Sequence, residues 1–158
     1  MAETAEFATG ALIANILAAV IWVGGMFFAH QILRPAAAML EPGPRLELWS
    51  NVLGRFFAWV IAAIILLLAS GYALVFGIFG GFHSIGLYIQ IMQGLGILMM
   101  LLFLHLYFSP WRRFRMAVAR KDWAEGRRQL AQIRTIVTVN LVLGLIAVAI
   151  GGSGRYWR

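Results

Sequence analysis

Long apolar runs dominate the chain, and the polar residues gather between them. Four stretches, about 8–33, 53–79, 85–108 and 133–152, are long and apolar enough to cross a bilayer as helices. The first should end at Arg34-Pro35, because proline cannot continue a helical hydrogen-bond ladder. Glu41-Pro42-Gly43-Pro44 reads as a turn, after which a helix restarts near Pro44 and runs past Arg55 into span 2. The link GIFGGFHSIG between spans 2 and 3 is short, glycine-rich and uncharged, which predicts antiparallel neighbours. After span 3 comes WRRFRMAVARK, with Trp111, Phe114 and Val118 at helical spacing and basic residues between. That pattern predicts a short helix lying at a headgroup surface. Asp122 and Glu125 have the spacing of a capping box and open a last helix that passes Arg127, Arg128 and Arg134 and ends at Gly151-Gly152. The expected fold is all-α and integral to the membrane: a four-helix up-down-up-down bundle forming one domain over residues 1–158.

Two of the apolar runs share a layout. Asn15 to His30 is 15 positions, as is Gln90 to His105, and each histidine is followed five residues later by a proline, Pro35 or Pro110. Over that distance a helix rises about 22 Å and returns to within about 60° of its starting face. Each run thus carries two polar groups on roughly one side, at two depths. Spans 2 and 4 extend the echo with Arg55 and Arg134 near one end and glycines near the other, as a tandem duplication of helix pairs would.

Composition narrows the class. Mean hydropathy is +0.85, and only 12% of residues are charged, against about 25% in a soluble average. With no cysteine, the chain makes no disulfide, CxxC motif or thiolate metal site. The acidic start MAETAEF lacks the basic region of a signal peptide, so the first apolar run is expected in the mature protein. The spans hold no Asp or Glu, and no nucleotide loop or Ser-His-Asp pattern appears, which argues against hydrolytic chemistry and leaves open whether the chain is a catalyst.

The net charge of +7 is distributed as membrane topology predicts rather than as a nucleic-acid surface. Eleven Lys and Arg lie in or beside the 1–2 and 3–4 connections, and only Arg155 and Arg158 belong to the other side. The positive-inside rule makes both connections cytoplasmic and both termini outside, that is periplasmic in a bacterial inner membrane. Spans 1 and 3 then run parallel, with His30 and His105 at one inner level and Asn15 and Gln90 at one outer level.

Ionisable groups at membrane depth are functional candidates by default, and imidazole ligates iron, copper and zinc. Facing each other across a bundle, His30 and His105 are candidate ligands of one metal centre, in particular a b-type haem, as in the diagonal helix clamps of membrane cytochromes. Arg34, Arg55, Arg112, Arg113 and Arg134 lie near that depth as partners for haem propionates. Gly94 falls on the His105 face, where a flat ring needs a small residue, whereas Gly24 and Gly25 suit close helix packing. The competing reading has both histidines bonded to backbone or headgroups. Met26, Met92, Met99 and Met100 offer thioethers that suit Cu(I), or simply pack. His83 is a candidate entry ligand or a solvated loop residue, and Asn15 and Gln90 either line an outer pocket or make interhelical hydrogen bonds. Trp22, Trp49, Trp59, Trp111, Trp123 and Trp157 mostly fall where interfacial belts would be.

The segments ILAAVIWVGGMFFA, LRPA and FLHLYFSPWRRFRMAVA, then DW and QIR before span 4, resemble the CopD family of small bacterial inner-membrane proteins associated with copper tolerance. Span 1 is more distantly similar to the HemJ-type protoporphyrinogen oxidases, four-helix proteins that bind b haem. In those relatives a histidine precedes the LAAVIWVGG-like segment and another stands near the start of span 3, where this chain has Asn15 and Gln90. His105 matches the family's FLH segment, while His30 stands where tyrosine or another residue is expected, so the inner pair would be this chain's own site. The resemblance implies a membrane redox-metal protein. Three functions are expected on this basis: a b-haem electron-transfer protein or oxidase, a copper-handling protein, and a cofactor-free accessory subunit of a larger complex. Expected partners are the bilayer and either a redox partner or a second copy of the chain.

Overall fold

A computed structural model describes residues 2–77, 80–81 and 86–156. Helix α1 (Ala2–Phe27) passes through a π-helical turn (Phe28–Leu33) into α2 (Arg34–Ala37). After a short turn, α3 (Pro42–Gly77) runs unbroken for 36 residues. Helix α4 (Leu87–Leu106) likewise passes through a π turn (Tyr107–Trp111) into α5 (Arg112–Ala119), and α6 (Trp123–Ser153) ends in a 3₁₀ turn (Gly154–Tyr156). Four helical stretches, Glu3–Ala37, Pro42–Gly77, Leu87–Ala119 and Trp123–Ser153, are long and apolar enough to cross a membrane. The four spans occur as expected, and all are longer than the hydropathy pattern predicts. At 1.5 Å per residue, α3 measures about 54 Å against a hydrocarbon core of about 30 Å, so its polar start projects beyond the apolar layer.

The two π turns account for the shared spacing of His30-Pro35 and His105-Pro110. Proline removes one helical N–H and its ring presses on the carbonyl four residues back. Widening one turn accommodates both effects without ending the helix. The Arg34 amide accordingly donates to the Ala29 carbonyl, five residues back. The expected stop at Arg34-Pro35 is therefore a widened turn, and helix continues to Ala37.

Helix α5 corrects a second expectation. It does not lie apart at a surface but continues span 3 through the π turn and packs on α6, burying Phe114 and Ala117. It closes with Lys121 in the left-handed region (φ 57°), while Lys121 N–H donates to Val118 O and Asp122 N–H to Ala117 O. That is a Schellman termination with lysine where glycine is usual. The next helix starts as its sequence predicts: the Asp122 carboxylate accepts from Glu125 N–H at 3.1 Å. Only half of a capping box forms, because the Glu125 carboxylate turns instead to Arg128 and Gln129.

Helix α1 packs along α3 and α4 along α6, and α6 also touches α1 and α3. Helices α3 and α4, which the short link predicts as packed neighbours, meet mainly through side chains near the basic connections. There Phe57 sits edge-on to Phe103 (centroids 5.5 Å) and Trp111 (5.0 Å), and Trp22 of α1 is edge-on to Phe103 at 6.3 Å. Most of the buried core lies at this basic end, including Leu46, Phe57, Phe103, Phe114 and Ile133. Toward the terminal end the two helical hairpins separate and leave a cavity.

Candidate functional site

The separation at the terminal end produces a cavity of about 410 Å³. All four spans line it, with Asn15 and Trp22 from α1, Gly71 and Tyr72 from α3, and Gly144 and Gly151 from α6. Helix α4 contributes most of its chemistry: Tyr88, Met92, Gln93, Met99 and Met100. Spacings of seven and eight residues from Met92 return Met99 and Met100 to one side of an α-helix, which is why a single helix brings three thioethers to one space. Glycines on α6 make room for them. A Cβ on Gly151 would stand 2.7 Å from Met92 Cε and 3.1 Å from its Sδ, and one on Gly144 would stand 3.1 Å from Met99 Cε.

Polar groups at this level bond mostly between helices. Asn15 Nδ2 donates to Ser70 Oγ at 3.0 Å and approaches the Leu67 carbonyl at 3.4 Å, while Ser70 Oγ donates to Leu66 O at 2.6 Å. Asn15 therefore both lines the cavity and ties α1 to α3. Gln90 is exposed and does not line the cavity; Gln93, one turn further on, does. His83, the third candidate at the outer level, lies outside the described residues.

The inner histidines do not share a cavity. His30 is partly buried and lines a separate small cavity, about 20 Å³, with Arg34, Trp49, Phe56, Ile133 and Arg134. His105, near the end of α4, is exposed and does not line that cavity. Arg55, Arg112 and Arg113 are exposed as well. Arg34 is exposed but reaches the rim of the small cavity, and Arg134 lies half-buried with its guanidinium 5.3 Å from the centre of the Trp49 ring.

This placement does not fit a haem. The space beside His30 has room for little more than one water-sized group, and among the described residues no histidine lines the large cavity. No group of three or more His, Asp or Glu converges as a metal site among the described residues. Of the paired glycines, Gly25 does allow close packing, since a Cβ there would run into the Phe56 ring, while Gly24 faces open space.

Asn140 is absent from the candidates that the sequence suggests, although a lone amide within the apolar run VTVNLVLG is a visible signal. It is 2% exposed and donates from Nδ2 to the Met99 carbonyl at 3.1 Å, while its Oδ1 has no partner. Trp49, by sequence only a member of an interfacial belt, is 3% exposed, and its indole N–H is buried without an acceptor.

No curated protein matches the chain, and no solved structure does. A family model does match, that of copper resistance protein D, over residues 50–153. The match takes in most of α3 and all of α4 to α6, hence Met92, Met99, Met100 and His105, and leaves span 1 and His30 outside it. Covering about two thirds of a chain with four membrane-spanning helices, it places the protein in the CopD family of copper-resistance membrane proteins.

Proposed function

We propose that the protein takes up copper as Cu(I), its substrate, in the cavity at the terminal end. The observation that carries this reading is the convergence of Met92, Met99 and Met100 on one space lined by all four spans. Thioether sulfur is a soft ligand suited to Cu(I), and being neutral it adds no second charge to a membrane interior. Asn15 and Gln93 lie on the same walls and supply amide oxygens near the ion. Below the cavity, the buried Met26 stands one turn before His30, so soft donors continue along α1 toward the basic end. The charge split supports an orientation with both basic connections cytoplasmic, and the cavity then faces outward, where an ion arrives.

The test is competition for Cu(I) between the detergent-purified protein and a chromophoric chelator under reducing conditions. One equivalent should bind. Met92→Leu and Met100→Leu, which nearly conserve volume, should each weaken binding and together weaken it further. Met116→Leu, exposed on α5, should not change it. Equal binding by the wild type and by the triple Met92, Met99 and Met100 leucine variant overturns the reading. A reporter fused at residue 118 that is active outside the cytoplasm overturns the orientation.

A further inference from the structure

The small cavity at the basic end gathers polar atoms that nothing among the described residues satisfies. Trp49 Nε1, Arg134 Nε and His30 Nδ1 are all buried without a hydrogen-bond partner, and all three residues line the same space of about 20 Å³. Indole N–H and guanidinium N–H only donate, and imidazole can donate. The missing partner is therefore an acceptor. Buried donors without acceptors are destabilising, so a site collecting them is expected to be filled.

Charge decides between a neutral and an anionic acceptor. Arg34 stands at the rim, and the charges of Arg34 and Arg45 both act on Arg134. None of the three pairs with a carboxylate among the described residues, where the ion pair formed is Arg128 with Glu125. Glu41 and Glu47, on or beside the same helix as Arg45, are exposed and remain outside the cavity. The Trp49 ring faces the Arg134 cation at 5.3 Å but brings no formal negative charge. A single water accepts only two hydrogen bonds, so it would leave one donor unmet and three mutually repelling cations uncompensated.

We infer that His30, Trp49 and Arg134, with Arg34 at the rim, bind a phosphate oxyanion, one oxygen entering the small cavity and the rest of the group held at its mouth. The volume suits this, since a space of about 20 Å³ admits a single oxygen-sized atom. At the basic end of four membrane-spanning helices, the phosphate at hand is the headgroup of an anionic lipid, and basic pockets between spans take such headgroups. Phosphate is favoured over carboxylate because its further oxygens can reach Arg34 while one occupies the pocket.

The experiment uses the full chain in two arms. In the first, protein reconstituted with phosphatidylglycerol or with phosphatidylcholine is examined by native mass spectrometry for retained lipid. In the second, lipid-free protein in detergent is titrated with inorganic phosphate, followed by tryptophan fluorescence. One tightly retained phosphatidylglycerol is expected, with retention falling about tenfold in Arg134→Gln and several-fold in Trp49→Phe, the scale of losing a charge-assisted or a single hydrogen bond. Trp49→Phe keeps an aromatic ring and removes only the N–H, so it stands as the second variant if Arg134→Gln fails to fold. Arg127→Gln, exposed on the same helix, should retain lipid as the wild type does. Saturable quenching by inorganic phosphate without lipid retention assigns the same oxyanion chemistry to free phosphate. The inference is overturned if neither phosphate source binds, if Trp49→Phe and Arg134→Gln leave binding intact, or if Arg127→Gln loses as much as they do.

Discussion

The side-chain amide of Asn140 reaches from α6 to the main-chain carbonyl of Met99 on α4 at 3.1 Å, and both residues are buried. It ties the two helices of the second hairpin at the floor of the large cavity. Interhelical polar bonds in membranes stabilise by about 0.6–2 kcal/mol. Asn140→Leu should therefore lower the thermal unfolding midpoint in detergent slightly, the lost bond being partly offset by removing the unpartnered Oδ1. Asn140→Asp should be worse at neutral pH, because a buried carboxylate would face a carbonyl. Its loss should shrink in acid, where the protonated form can donate to Met99. A variant as stable as wild type at neutral pH would contradict the assignment.

Gly25 and Phe56 form a second coupled pair. A side chain at Gly25 would occupy the space of the Phe56 ring. Gly25→Val should destabilise by about 1–3 kcal/mol, the usual cost of overpacking. Phe56→Leu in that background should recover part of the loss. Denaturant unfolding of the four proteins of this cycle measures the coupling, and strict additivity would rule the contact out.

Phe57 holds the basic end closed. It is 2% exposed and meets Phe103, Tyr107 and Trp111 edge-on. Phe57→Ala should cost about 3–5 kcal/mol, near the top of the range for a buried aromatic. Phe57→Leu should cost less, since it leaves a smaller void. Unfolding in mixed micelles should rank the two variants in that order.

Lys121 holds a left-handed backbone that glycine adopts without steric penalty. Lys121→Gly should raise stability by up to about 1 kcal/mol, the usual penalty of a non-glycine residue there. Lys121→Val should lower it, because a β-branched side chain fits that region poorly. Thermal melts of the two variants should move in opposite directions.

His105 carries the clearest contrast between sequence and structure. Because it is exposed, His105→Ala should change stability by no more than about 0.5 kcal/mol and leave Cu(I) uptake unaltered. Loss of copper binding in that variant would restore the paired-histidine reading. The spans themselves are legible because about 20 consecutive apolar residues carry a strong signal whatever their exact bounds. The start of α6 is legible because Asp122 caps it with its own side chain. Side-chain direction is not. Counting faces at 100° per residue presumes an uninterrupted α-helix. A π turn over Phe28–Leu33 breaks that count just at His30, whereas His105 stands in regular α-helix ahead of the second π turn (Tyr107–Trp111), and its direction follows from how α4 packs on α6. The shared proline spacing accompanies two equivalent π turns. The copper candidates are visible in the sequence as methionines, but only the spread of the hairpins shows that three of them share a space.

That spread also makes the packing lopsided along the bundle. Two hairpins fastened at one end by interlocked rings and parted at the other have the mechanics of tweezers, with Phe57 and Phe103 at the pivot. Small changes in angle there would widen or narrow the methionine cavity while barely disturbing the basic end. An ion admitted to the cavity stands before a wall of aromatic side chains, not an open pore. If Cu(I) is the substrate, as proposed above, its onward passage would require that wall to part.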